Sequence, residues 1–150
     1  MRGRYGRVSG ERVLSGPGLH NIFLALTEVL GRPVSAAVLA RLDAEDPSAA
    51  ISALALSGEC PTCAEALAMF VSTYGAQAGN LALTAMAVGG IYLAGGIAPK
   101  ILPALTGGAF TAAFVAKDPH RALLEQIPVY VLTDPKTPQL GAAYAAAALL

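Results

Sequence analysis

Apolar side chains recur at helical spacing early in the chain: Leu19, Ile22, Phe23, Leu26, Val29 and Leu30 share one face of a helix. The loop Ser15-Gly16-Pro17-Gly18 leads into it, and Gly31 and Pro33 stop it. The pattern predicts a second helix over 35–42 and a third over 49–56, separated by the acidic turn 43–48. After Pro61 comes a longer helix. Leu67, Phe70, Val71, Tyr74 and Leu81 form its apolar stripe, and Thr73, Gln77, Asn80 and Thr84 line up opposite.

Gly89-Gly90 and Gly95-Gly96 bracket a short β-favouring run at 91–94, and 128–133 is a second such run. Helical segments are expected over 99–105 and 110–116, divided by Gly107-Gly108, with an alanine-rich helix over 140–150. The order of helices, strand, helices, strand and helix predicts a helix-rich α/β fold, its parallel strands joined by a helical crossover. Two strands do not make a stable sheet. The chain therefore reads as a single incomplete domain over residues 1–150, its other strands coming from elsewhere.

Composition narrows the functional classes. At 55% hydrophobic residues with ten basic and ten acidic side chains, the net charge is zero, which disfavours nucleic acid and anionic membranes as partners. Arg2, Arg4, Arg7 and Arg12 crowd the N-terminus against Glu11 alone and read as a solvated basic end. Residues 66–99 carry no charge and must be weighed as a membrane span, but the two-faced pattern and the later glycines argue against one. Gly75 and Gly79 form a small-xxx-small pair that suits a close crossing of two soluble helices. The apolar stretch at 22–26 is too short for a secretory signal, so a cytoplasmic chain is expected.

Two stretches carry a resemblance. Residues 8–19, VSGERVLSGPGL, and 89–100, GGIYLAGGIAPK, resemble the signature segments of the bacterial glucokinase family, and GNLAL at 79–83 and IPVY at 127–130 with Leu140-Gly141-Ala142 are similar to it in the same order. The resemblance covers essentially the whole chain. It implies the C-terminal part of the larger lobe of an actin-like, ribonuclease-H-like ATPase fold, within a kinase that phosphorylates glucose using ATP and Mg²⁺.

Carried over by position, Glu11 matches the family's sugar-binding glutamate, a carboxylate suited to accepting hydrogen bonds from glucose hydroxyls. Apart from the resemblance, it reads as a first-turn helix residue favoured by the dipole after Ser9. Gly95 and Gly96 match the nucleotide-side glycines and also make a tight strand-to-helix turn; both readings hold together. Ser15 to Gly18 read as an anion site or as a plain cap.

Cys60-Pro61-Thr62-Cys63 invites a metal or redox reading, because a thiol at a helix N-terminus has a lowered pKa. Zinc needs two more ligands, and neither His20 nor His120 has partner spacing, so no metal site is expected. His20 is expected on a helix surface and His120 in a loop. Asp118 and Asp134 sit beside prolines in loops and are not candidates for a catalytic base.

The family's Asp-x-Gly-Gly-Thr phosphate loop, its aspartate base, its second Gly-Thr-Gly hairpin and its Glu-Gly-Gly-His sugar segment do not occur in these 150 residues. Phosphoryl transfer depends on positioning and charge neutralisation, so the resemblance implies a segment inactive alone. The alternative is a non-catalytic ligand-binding or interaction module of the same fold. Uncovered strands and apolar faces also lead to an expectation of self-association, or of pairing with a chain that supplies the N-terminal lobe.

Overall fold

A computed structural model describes residues 6–149; Arg2 and Arg4 of the basic cluster, and Leu150, the last residue of the expected 140–150 helix, lie outside them. Helix α1, Gly16–Leu24, starts where Pro17 fits the first turn and the Ser15 hydroxyl accepts the Gly18 N–H at 3.0 Å. It passes into a π-helical turn, Ala25–Val29. The wider turn rotates the later positions of the stripe away from the core, so burial ends at Leu26, while Val29 and Leu30 are 70% and 62% exposed.

Helix α2, Ala36–Ala44, is capped by Ser35. Helix α3, Pro47–Ser57, begins two residues before the expected 49–56 because Asp46 accepts the Ala49 N–H and Pro47 suits the first turn. Helix α4, Pro61–Ala85, is the long element and packs against α1, α3 and the later helices. Strand β1, Ile91–Leu93, pairs in parallel with β2, Val129–Val131, in the register Ile91 to Val129 and Leu93 to Val131. The crossover holds a 3₁₀ turn, Ala98–Ile101, then α5, Leu102–Thr106, α6, Ala109–Val115, and α7, Arg121–Leu124. At four residues, α7 is too short to leave a periodic pattern in the sequence. Helix α8, Thr137–Ala147, starts ahead of the expected residue 140.

The centre is the crossing of α4 with α6. A Cβ at Gly75 would collide with the Phe110 carbonyl, and one at Gly79 with that of Phe114, so the two backbones touch where side chains would normally hold helices apart. Phe70, Tyr74, Phe110 and Phe114 run along this seam. Tyr74 meets Phe70 edge-on at 6.1 Å and Phe110 edge-on at 5.7 Å. The buried face of α4 thus includes small residues, Gly75, Ala78, Gly79 and Ala82, whereas Leu81, expected in the stripe, is 56% exposed.

One face of the sheet is buried through Ile91 and Leu93, but Tyr92 and Tyr130 stack at 5.0 Å on the other and are 60% and 47% exposed. Helix α8 buries none of its residues. Among the described residues no single helix is long and apolar enough to cross a membrane; two pairs reach that length only across bends of 104° and 82°.

Substitutions at the crossing report on it directly. Alanine is the better helix former by about 1 kcal/mol, so propensity alone predicts that Gly79→Ala stabilises. The Phe114 carbonyl reverses this, and Gly79→Ala and Gly75→Ala should each cost about 1–3 kcal/mol in chemical denaturation. A stabilised variant would refute the close approach.

Candidate functional site

The C-terminal end of β1 runs into Gly95-Gly96. Gly95 has φ +96°, a conformation that L side chains rarely adopt. Gly96 has no such requirement, and a Cβ built there meets nothing within 4 Å. Neither backbone strain nor packing accounts for its missing side chain. It opens onto space beyond the strand end, where parallel α/β folds take ligands.

That space is a cavity of about 250 Å³ formed by the N-terminal ends of α1 and α3 and the 3₁₀ turn after Gly96. Leu19, Phe70 and Ile101 give it an apolar floor, and Asp46, Ser52 and Lys100 line it with polar groups. The two helix starts are tied together by the Ser48 hydroxyl, which donates to the Gly16 carbonyl at 2.5 Å. The Ser15 hydroxyl donates in turn to the Glu11 carbonyl at 2.7 Å, fixing the preceding turn. The Lys100 ammonium has no ion-pair partner among the described residues.

Two more depressions meet at the same glycines. One is lined by Leu14, Phe70 and Tyr74 with Gly95 and Gly96; burial raises the Tyr74 phenol above its ordinary pKa. The other lies between Gly96, Lys100, Thr133 and Thr137 at the ends of both strands.

Of the sequence-predicted site residues, Gly95 and Gly96 sit at this junction. Glu11 lies in the exposed 3₁₀ turn Gly10–Arg12, joined to the cavity wall through Ser15, and its carboxylate is not among the groups lining these cavities. The structure adds Asp46, Ser48 and Ser52, which sequence reasoning does not single out. Asp46-Pro47-Ser48 is legible as a helix start, but only the packing of α3 on α1 turns that start toward Gly96. Lys100 stands within the segment 89–100, where the residues alone give it no role.

Cys63 behaves differently from the lowered-pKa expectation. The Cys60 thiol caps α4 by accepting the Cys63 N–H at 3.2 Å. Both side chains are buried, and burial first, then the hydrogen bond and charge of Cys60, push Cys63 from an ordinary 9.0 up to about 12. Desolvation outweighs the helix dipole. No three His, Cys, Asp or Glu side chains among the described residues gather as a metal site would require. His20 is half-buried on α1, and His120 precedes α7 at its N-terminal boundary. Asp118 and Asp134 are both exposed.

A parallel strand pair with a glycine turn opening onto a helix-walled cavity defines a helix-rich α/β protein with a cavity at its strand ends. The sequence profile of the glucokinase family matches residues 1–149. The glucokinase of Mesorhizobium japonicum is 45% identical over 141 residues, taking in 93% of this chain and 39% of that protein. The glucokinase of Marinobacter nauticus is 44% identical over 145 residues, 97% of this chain and 42% of its own length. The crystal structure of a glucokinase from an Antarctic psychrotroph superposes with a TM-score of 0.75 at 34% identity over 95% of this chain and 41% of that one. The chain belongs to the glucokinase family. It spans about two fifths of the length of the relatives it matches.

The raised thiol makes stability depend on pH. A thiol kept protonated in the folded state stabilises fully below its unfolded pKa of 9.0, and that contribution is lost as pH rises toward 12. Stability from urea titrations should fall over this window, and Cys63→Ala should be less stable near neutral pH but flatter above pH 9. An unchanged slope in the variant would contradict the assignment.

Proposed function

We propose that this chain supplies the nucleotide wall and one sugar ligand of an ATP-dependent glucose kinase of the actin-like fold, and that phosphoryl transfer needs the family's preceding portion as well. The observation that carries the reading is Gly96, a glycine with ordinary backbone and open space beside it, next to a cavity with an apolar floor and a cation unpaired among the described residues. Such a cavity suits a nucleobase, with the phosphates passing over the glycine turn. A side chain at Gly96 would stand in their way.

Glu11 would accept hydrogen bonds from glucose hydroxyls, its turn held by the Ser15 hydroxyl. Mg²⁺ would arrive with the nucleotide phosphates, since the described residues gather no cage for it. When bound, ATP supplies the γ-phosphoryl group. This chain's part is to seat the base and hold the sugar.

The exposed Tyr92–Tyr130 face and the uncovered α8 support the need for more polypeptide, because parallel sheets are covered on both faces. We assign that cover to the preceding portion of the family's fold. The same reading makes the kinase cytoplasmic.

A coupled assay tests this. The purified chain should form no glucose 6-phosphate from ATP and glucose, and mixing it with the separately expressed preceding segment of a relative should restore turnover. In the restored enzyme, Glu11→Gln should weaken glucose by about 1.5–3 kcal/mol. Gly96→Ala should raise the KM for ATP while the chain's stability moves by less than about 0.5 kcal/mol. Turnover by the chain alone would refute the proposal, as would a Glu11→Gln enzyme with unchanged glucose KM.

A further inference from the structure

Asp46 stands at the mouth of the cavity in a constrained position. As N-cap of α3 it accepts the Ala49 N–H on one carboxylate oxygen at 2.8 Å, which fixes its rotamer and leaves the second oxygen without a partner among the described residues. Its distance from α1 is set by the hydrogen bond from Ser48 to Gly16, so the carboxylate, though exposed, is held at the cavity edge. The other hydroxyls nearby have spent their protons: Ser48 on Gly16, and Ser52 on the carbonyls of Ser48 and Ala49. The side chains at this edge of the cavity therefore offer acceptors, which suit a donor on the ligand. Across it the apolar floor of Leu19, Phe70 and Ile101 suits the face of an aromatic ring.

We propose that Asp46 is a specificity residue whose free carboxylate oxygen accepts a hydrogen bond from the exocyclic amine of an adenine base seated in this cavity. The inference rests on the nucleotide reading above and adds to it which atom of the base is read and by which side chain. A carboxylate oxygen covered by a ligand rejects an analogue that lacks the donor, because it is then desolvated without return.

The test compares adenosine with purine riboside, which differs only in lacking the 6-amino group, by amide chemical-shift titration of the full chain, read at Ala49 and Gly96. Adenosine should bind about tenfold or more tightly than purine riboside. Asp46→Ser keeps a capping hydroxyl on α3 but removes the free acceptor, so the preference should fall below about threefold. Asp46→Asn keeps the cap on its one oxygen but sets an amide NH2, a donor, where the free carboxylate oxygen stood, so it too should lose the preference; circular dichroism should show both variants folded. Equal affinity for the two nucleosides, or a preference that Asp46→Ser keeps in full, overturns the role of Asp46 while leaving the nucleotide site standing. Binding of neither nucleoside nor ATP at millimolar concentration overturns both.

Discussion

The structure depends on one contact between main chains, where α4 and α6 cross at Gly75 and Gly79 against the carbonyls of Phe110 and Phe114. Helices that touch through their backbones have little freedom to slide, since displacement either way brings a side chain into the gap. This fixes α4, and α4 fixes much else. Its first half carries Phe70 into the floor of the cavity, and its end delivers the chain to β1. The crossover through α6 and α7 returns the chain to pair β2 beside β1. The aromatic row along the seam seals the crossing, and the burial of Phe70 and Phe114 contributes about 1.5–3 kcal/mol each.

The site is assembled on this frame by convergence. Three elements that are distant in sequence bring their starts together: α1 with Ser15 and Gly16, α3 with Asp46 and Ser48, and the turn after Gly96 with Lys100. The caps that begin the helices also line the cavity, so the hydrogen bonds that define the secondary structure position the groups a ligand would meet. Gly96 completes the arrangement by leaving the entrance open. Glu11 is held at one remove, through its own carbonyl, which accepts the Ser15 hydroxyl.

Much of this is legible in the sequence, and the failures have physical causes. The parallel pairing of 91–94 with 128–133 comes from β-favouring runs separated by helical pattern. The pair Gly75 and Gly79 reads as a soluble helix crossing, and the structure shows its partner. The turn at Gly95-Gly96 lies where the residues place it. Leu81, Val29 and Leu30 belong to the stripes by spacing but face outward, because a stripe drawn at ideal spacing ignores the π turn after α1 and the small-residue seam on α4. The lowered thiol pKa expected at the start of α4 is reversed by burial, which no local pattern reveals. Asp46 and Ser52 are readable as parts of a helix, yet not as cavity-lining residues, since they face the cavity only once α3 packs on α1.

Whether the cavity beside Gly96 is where the nucleotide binds is decided by a crystal structure of this chain soaked with a non-hydrolysable ATP analogue. The base should lie between Asp46 and Lys100 over Phe70, with the phosphates running past Gly96. An analogue ordered instead in the depression between Thr133, Thr137 and the strand ends, with the Asp46 cavity unchanged, would contradict this placement.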